Sequence, residues 1–567
     1  MAALGSVLPP ASWPQASQTP SLQAQAPDPG CPGPAPLKAP TFGRCTALAH
    51  TIAAMVGEPA VTRAHWGVSV EALDGAPIYA LNDGQFFQPA SNAKLFTTAA
   101  AMALLGPDRI SETRVIVGDL SAAANEAAIQ KPGNLVLVGA GDANLSGREV
   151  PYIAPAQRPK PLPGAPPAPP PDPLRYLRVM ADQVVASGVR TVPGDIIGDD
   201  TLWPWEPYPE DWAQDDLVWG YGAPVSALSV ADNQLRLTVT PAKAPGQPAS
   251  VALEQAVPFY TVEASVITAP AKSTEGGLQV ERAPGSRVLR VYGQIAADAG
   301  DDVEEVAISD PAEYAAMAFK AMLEEHGVTV QGQARALHRL SDESVGLLKQ
   351  TSEPMPADRT SRVGLGRRSS SCSDDCDLRD RVAMRVVATH RSPTLAEDVV
   401  VTNKTSENLH AELLLRRLGD AFGDTGSAAQ GVRVLRWFLT ERAGVDPDDF
   451  VFYDGSGLSG HDLVTPRATV RLLTWAYTQP WFAAWRASLP IGGVDGSLTT
   501  RFAKGPLKGR VFAKTGTLGE ARALSGYLEC AGGRTVAFSV MVTDHAPGSR
   551  ADAEVMDRIV AAIAAAE

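Results

Sequence analysis

Ser91 and Lys94, three residues apart, have the types and spacing for covalent chemistry. They lie in Gln88-Pro89-Ala90-Ser91-Asn92-Ala93-Lys94-Leu95-Phe96-Thr97. Everything from Pro89 through the alanine-rich run reads as one helix, because Ala and Leu are good helix formers and Gly106-Pro107 stops it. Leu95, Met102 and Leu105 fall near one stripe, which predicts a buried helix. Ser91 in the first turn meets free backbone N–H groups and the positive end of the helix dipole, both of which favour a developing negative charge. Lys94 presents its amine on the same face. An amine in apolar surroundings near a second cation loses its proton more readily and serves as a base toward serine. A Ser and a Lys three apart arise by chance about once or twice in a chain this long. The chemistry therefore needs an oxyanion hole, a proton relay and an anchor from elsewhere.

Two later stretches offer those parts. In Val399-Val400-Val401-Thr402-Asn403-Lys404-Thr405-Ser406-Glu407-Asn408-Leu409, a strand-like run is followed by a helix whose first turn presents Ser406 and Asn408. Two residues apart, they reach one cleft only from a turn. Taken alone, these residues read better as a helix cap at Ser406 with Asn408 exposed. Further on, Val511-Phe512-Ala513-Lys514-Thr515-Gly516-Thr517 runs as a strand into a turn, with Lys514 and Gly516 on one face. Lys514 supplies a cation, and Gly516 lets a ligand approach the backbone of an edge to which a peptide can add. Between them, Asp454-Gly455-Ser456-Gly457-Leu458-Ser459 forms a tight turn before a helix starting near Thr465-Pro466.

Ser-x-x-Lys, Ser-x-Asn and Lys-Thr-Gly, in that order, form the signature of penicillin-binding proteins and serine β-lactamases. The chain resembles the D-alanyl-D-alanine carboxypeptidases (class C, low-molecular-mass penicillin-binding proteins), in which an extra domain pair separates the first two motifs. Tyr221-Gly222-Ala223-Pro224-Val225-Ser226-Ala227-Leu228 resembles a family stretch as well. The resemblance spans roughly residues 45–350 and 385–567. It implies that Ser91 is acylated by the penultimate D-alanine, with Lys94 taking its proton. The N–H groups of Ser91 and Thr517 then form the oxyanion hole, and Ser406 passes the proton to the departing amine. Asn408 binds substrate and holds Lys94, while Lys514, Thr515 and Thr517 hold the terminal carboxylate beside Gly516. It further implies peptidoglycan stem peptides as substrate, β-lactam antibiotics as covalent inhibitors, no metal or organic cofactor, and a periplasmic or extracytoplasmic location. Whether cross-links are cut as well is left open. The alternatives are a β-lactamase or esterase of the same fold, against which the long insert argues, and a non-catalytic cell-wall scaffold. A histidine-dependent hydrolase lacks its motifs, since neither Gly-x-Ser-x-Gly nor His-Glu-x-x-His occurs among the 567 residues.

These motifs need elements to position them. Thr46–Val56 reads as a helix, and His65–Leu73 and Pro77–Leu81 read as a hairpin. At the other end, strands near 511–514, 523–530 and 535–542 precede a helix over 552–566. Neither set is stable alone, which predicts one antiparallel sheet built from both termini and covered by helices. The expected class is α+β and multi-domain: a penicillin-binding-protein/β-lactamase-like transpeptidase domain over 41–107 and 385–567. It is split by a largely β insertion over 108–358, comprising two nested domains with a boundary near 250–260. Residues 359–384 read as an exposed loop. Trp203, Trp205, Trp212 and Trp219 line a substrate cleft or pack domains together.

Composition narrows the class. Acidic residues outnumber basic ones, 63 to 49, and the net charge of −14 argues against a nucleic-acid partner. No apolar run approaches the ~20 residues of a membrane span, so membrane association is at most peripheral. Five cysteines make no disulfide framework, and Cys372-x₃-Cys376 lacks further ligands for zinc. Residues 1–40 read as a Pro/Ala-rich disordered tail. This tail lacks the basic start of a signal peptide, yet Leu22-Gln23-Ala24-Gln25-Ala26 resembles a cleavage site, as expected if the true start lies upstream.

Overall fold

Strands from the two ends of the chain close into one sheet, as their alternation predicts. A computed structural model describes residues 46–117, 133–158, 171–274, 277–356, 359 and 385–567. The expected tail, its cleavage-like site, most of the expected 359–384 loop and the Cys372/Cys376 pair lie outside those residues. The terminal sheet runs 511–518, 521–529, 535–543, 65–72, 77–81, every neighbour antiparallel. Its period-2 pattern buries both faces. Val68, Val70, Phe538 and Val540 pack with Leu48, Ile52 and Ile559 of the terminal helices Thr46–Val56 and Ala551–Ala566. Ala537, Met541 and Tyr527 face a helical layer with Phe96, Leu414, Phe438 and Leu472. The result is three layers, with the sheet in the middle.

Between the halves lies a second, mixed five-stranded sheet, ordered 334–339, 196–204, 135–138, 112–117, 385–391. Strand Arg385–Arg391, assigned from sequence to the second catalytic segment, pairs with Glu112–Val117 and completes this sheet. Two three-stranded sheets use strands within 234–307 only, nested between 196–204 and 334–339. Trp203 and Trp212 are buried, joining Leu409, Leu413 and Leu458 in one cluster; this favours the packing reading for these two tryptophans.

Two local expectations are corrected. The valine run at 399–401 lies inside a helix, Leu395–Lys404, although β-branched residues favour strands. Thr394 and Glu397 form a reciprocal capping box that starts this helix and overrides the preference. The helix after Pro89 is two elements, a 3₁₀ turn at Ala90–Asn92 and then Ala93–Leu104. Ala90, which opens the 3₁₀ turn, is left-handed at φ 45°. Among the described residues no helix is long and apolar enough to cross a membrane.

Candidate active site

Ser91 sits on the 3₁₀ turn, half-buried, and this turn is pinned from two sides. Asn92 Nδ2 donates to the Lys514 carbonyl at 3.1 Å, tying the turn to the edge strand Val511–Leu518. A Cβ at Gly516 would stand 2.5 Å from the Pro89 carbonyl, so only glycine lets strand and turn approach this closely. Gly457, at φ 80°, meets the Ala90 carbonyl in the same way from the Asp454–Ser459 loop.

The loop is organised by Asp454, wholly buried, whose two oxygens accept from the backbone N–H groups of Ser456, Gly457, Leu458 and Ser459. Trp212 Nε1 donates to it at 2.9 Å and Ser456 Oγ at 3.0 Å. This fixes the Ser456 carbonyl, which accepts from Lys94 Nζ at 2.7 Å. Lys94 is fully buried, with Nζ also 2.9 Å from Ser91 Oγ and 2.6 Å from Asn408 Oδ1. An ammonium would donate to all three. A neutral amine donates to Asn408 and Ser456 and turns its lone pair to the Ser91 hydroxyl, so the geometry holds both protonation states. Burial pushes the Lys94 amine down to about 8, while nearby carboxylates, Asp454 first, oppose that fall.

The second half of the site converges on the same spot. Ser406 lies between the helices Leu395–Lys404 and Asn408–Phe422, and its φ of 65° turns it out of helical geometry. It is not the helix cap: Glu407 occupies that position, and Ser406 Oγ instead accepts from Lys514 Nζ at 2.8 Å. Lys514 is wholly buried, and burial, with Lys94 as a second cation, holds its amine well below the ordinary lysine range. Asn408, the first residue of its helix, donates from Nδ2 to the Tyr221 carbonyl at 2.8 Å. Thr515 Oγ1 lies 2.6 Å from Ser497 Oγ, and Thr517 is exposed two residues along the edge. Lys404, just before the turn, is braced by Asp495 at 2.7 Å and by the Leu489 carbonyl at 2.6 Å.

Ser91, Lys94 and Asn408 thus form one hydrogen-bonded group and Ser406 and Lys514 a second, tied to the serine turn by Asn92 Nδ2 on the Lys514 carbonyl, with Thr515, Gly516 and Thr517 continuing along the strand. Asp454, Ser497, the Ser456 carbonyl and Trp212 are the participants whose roles motif spacing missed. Asp followed two residues later by Ser and then Gly is an Asx-turn pattern that marks Asp454. His410 is buried between Asp398 and Asp232, away from Ser91's hydrogen bonds.

A serine beside a buried, depressed lysine, a second hydroxyl on a second lysine, and the edge strand of a sheet define a class: serine enzymes working by acyl transfer. Comparison with known proteins narrows this. Residues 48–359 and 375–565 match the D-Ala-D-Ala carboxypeptidase 3 (S13) family. The chain is 33% identical over 526 residues to the D-alanyl-D-alanine carboxypeptidase of Actinomadura sp. (strain R39), covering 90% of this chain and 84% of that protein. Its fold matches penicillin binding protein 4 (dacB) from Haemophilus influenzae, with TM-score 0.69 and 20% identity over 89% of this chain and 97% of that one. A structure of the same Haemophilus protein complexed with a β-lactam gives TM-score 0.64 at 19% identity, over 91% and 99% of the two chains. The chain belongs to the D-Ala-D-Ala carboxypeptidase S13 family, and it is a serine peptidase.

Proposed function

We infer that the protein is a serine-type D-alanyl-D-alanine carboxypeptidase that trims peptidoglycan stem peptides through an acyl-enzyme on Ser91. The observation carrying this reading is the three-way placement of Lys94 Nζ against Ser91 Oγ, Asn408 Oδ1 and the Ser456 carbonyl. In its neutral form Lys94 accepts the Ser91 proton as Oγ attacks the carbonyl of the penultimate D-alanine. The N–H groups of Ser91 and Thr517 stabilise the oxyanion, charge that exists only in the transition state. Ser406 Oγ already accepts from Lys514, so its own O–H is free to protonate the leaving nitrogen, and Lys94 returns the proton to Ser406. The C–N bond breaks, D-alanine departs, and water hydrolyses the ester by the reverse proton path.

The terminal carboxylate docks against Lys514, Thr515 and Thr517 beside Gly516. An anion there favours the charged form of Lys514, offsetting the burial that depresses it. A β-lactam ring opens on the same serine to a slowly hydrolysed ester, which makes these antibiotics covalent inhibitors. Acting on the wall places the enzyme outside the cytoplasmic membrane. The strand pairing supports a catalytic unit over 44–107 and 392–567, with the accessory part over 108–391 between them.

Intact-protein mass after excess benzylpenicillin, for wild type and Ser91→Ala, tests the reading. One penicilloyl adduct that disappears in the variant, together with D-alanine release from a stem pentapeptide, is the expected result. No adduct and no penicillin turnover would sink it, and turnover without D-alanine release would make the protein a β-lactamase.

A further inference from the structure

Ser406 occupies a left-handed backbone region that an L side chain keeps only when its surroundings enforce it. The enforcing groups come from the insert. Glu407, between Ser406 and Asn408, pairs its carboxylate with the Arg148 guanidinium. Arg148 Nε also holds Asp232 Oδ2 at 2.8 Å, and its carbonyl accepts from Arg175 Nη2 at 2.5 Å. Asp232 stands within three successive left-handed residues, Ala231, Asp232 and Asn233, at φ 53°, 53° and 56°. Asn233 locks that kink by donating to the Pro224 carbonyl at 2.8 Å and to Ser229 Oγ at 3.1 Å.

The network then reaches both helices that flank the turn. The second oxygen of Asp232 lies 3.5 Å from His410 Nε2, on the helix after it, and His410 Nδ1 lies 2.7 Å from Asp398 Oδ1, on the helix before it. Asn144 Nδ2, from the insert, donates to the same Asp398 oxygen at 3.2 Å. Burial disfavours a charge on His410, but Asp398 and Asp232 outweigh it and raise the ring to about 10, so it is cationic at neutral pH. For Asp232, burial acts upward while Arg148 and His410 act downward and prevail.

We propose that Arg148 is a positioning residue: through Glu407 and Asp232 the insert sets the Ser406–Asn408 turn in its proton-relaying geometry. This rests on the reading of Ser91 and Ser406 given above. The Arg148 and Glu407 side chains keep 24% and 22% of their exposure. Asp232 keeps only 9%, so Glu407→Gln, which leaves the Arg148–Asp232 pair in place, alters geometry before folding, whereas Arg148→Met also unpairs a buried carboxylate and lowers stability. Ser406 Oγ must meet the leaving nitrogen within hydrogen-bond reach, and a shift of about 1 Å in such a group costs about a hundredfold in rate.

The test uses the full-length enzyme and three variants, Arg148→Met, Arg148→Lys and Glu407→Gln. Stopped-flow acylation by excess chromogenic cephalosporin separates maximal rate from half-saturation, and a melting curve is recorded for each variant. Arg148→Met and Glu407→Gln should lower the maximal rate about a hundredfold. Half-saturation should stay within about twofold in both, and melting should be unchanged in Glu407→Gln. Arg148→Lys should recover part of the rate, and free guanidinium should rescue Arg148→Met. Wild-type acylation in both Arg148→Met and Glu407→Gln would overturn the proposal. So would a rate loss that follows the melting temperature and resists both lysine and guanidinium. A wild type that no β-lactam acylates would instead sink the acyl-enzyme reading itself.

Discussion

The sharpest consequence of the buried Lys94 concerns pH. With its amine near 8, about one molecule in ten holds the neutral base at pH 7, whereas at the ordinary 10.5 only about one in three thousand would. At pH 6 the neutral fraction is about one in a hundred, and by pH 9 it is about nine in ten. The maximal rate of Ser91 acylation should therefore rise about ninetyfold from pH 6 to pH 9, tenfold per unit on the acid limb. Lys514 sends binding the other way. Burial, with Lys94 as a second cation, also holds its amine well below the ordinary lysine range, so in the free enzyme it loses charge as pH rises, and a carboxylate ligand should then bind less tightly. The rate at saturation should climb and level off, while the rate at low ligand concentration should be bell-shaped. Single-turnover acylation measured from pH 5.5 to 9.5 at several β-lactam concentrations separates the two. Lys94→Arg supplies the control, since a guanidinium keeps the cation but cannot deprotonate, and this variant should lose both rate and acid limb. A saturating rate that stays flat, or falls, between pH 6 and 9 would refute the argument and make Lys94 a charged donor.

Two further expectations follow from groups outside the reacting cluster. In Asp454→Asn an amide nitrogen must face donors; the better placement puts it at the Oδ1 position and orphans the buried N–H groups of Ser456 and Gly457, at about 1–3 kcal/mol each. Thermal melting should fall by at least about 4 °C, and an unchanged melting temperature would contradict that count. His338 sits against Trp205 with Nδ1 2.9 Å from Asp200 and Nε2 3.2 Å from Asp310. Burial opposes its charge, but the two carboxylates raise it to about 10, so its stabilisation is complete below about 6.5 and drains away as pH rises through about 10. His338→Gln should flatten that part of the melting-temperature profile, and equal slopes in both proteins would disprove the linkage.

Sequence carried the chemistry because chemistry here is local. Ser91 and Lys94 share a face at three-residue spacing, and Lys514 and Gly516 share one at two-residue spacing, so both pairs could be read before any fold was known. The two-ended sheet was legible for a similar reason: period-2 alternation in 65–72, 523–530 and 535–542 demanded partners. The misread valine helix at 399–401 carried its own correction in Thr394-Leu395-Ala396-Glu397, a local capping signal that outweighs β-branching. Ser406 differs in kind. Its left-handed φ is not a property of serine or of its neighbours in sequence, and nothing within three residues demands it. It depends on Arg148, 259 positions upstream of Glu407, and on Asp232, 84 positions beyond Arg148. Such separations leave no periodic trace, so the insert reads from sequence as a detachable accessory. In three dimensions it reaches the turn of the second motif, between Ser406 and Asn408, through ion pairs rather than through apolar packing alone. An insert that merely bound substrate could be removed with the relay intact. One that holds Ser406 cannot, and its position in the chain, between Ser-x-x-Lys and Ser-x-Asn, then places it directly ahead of the turn it orders.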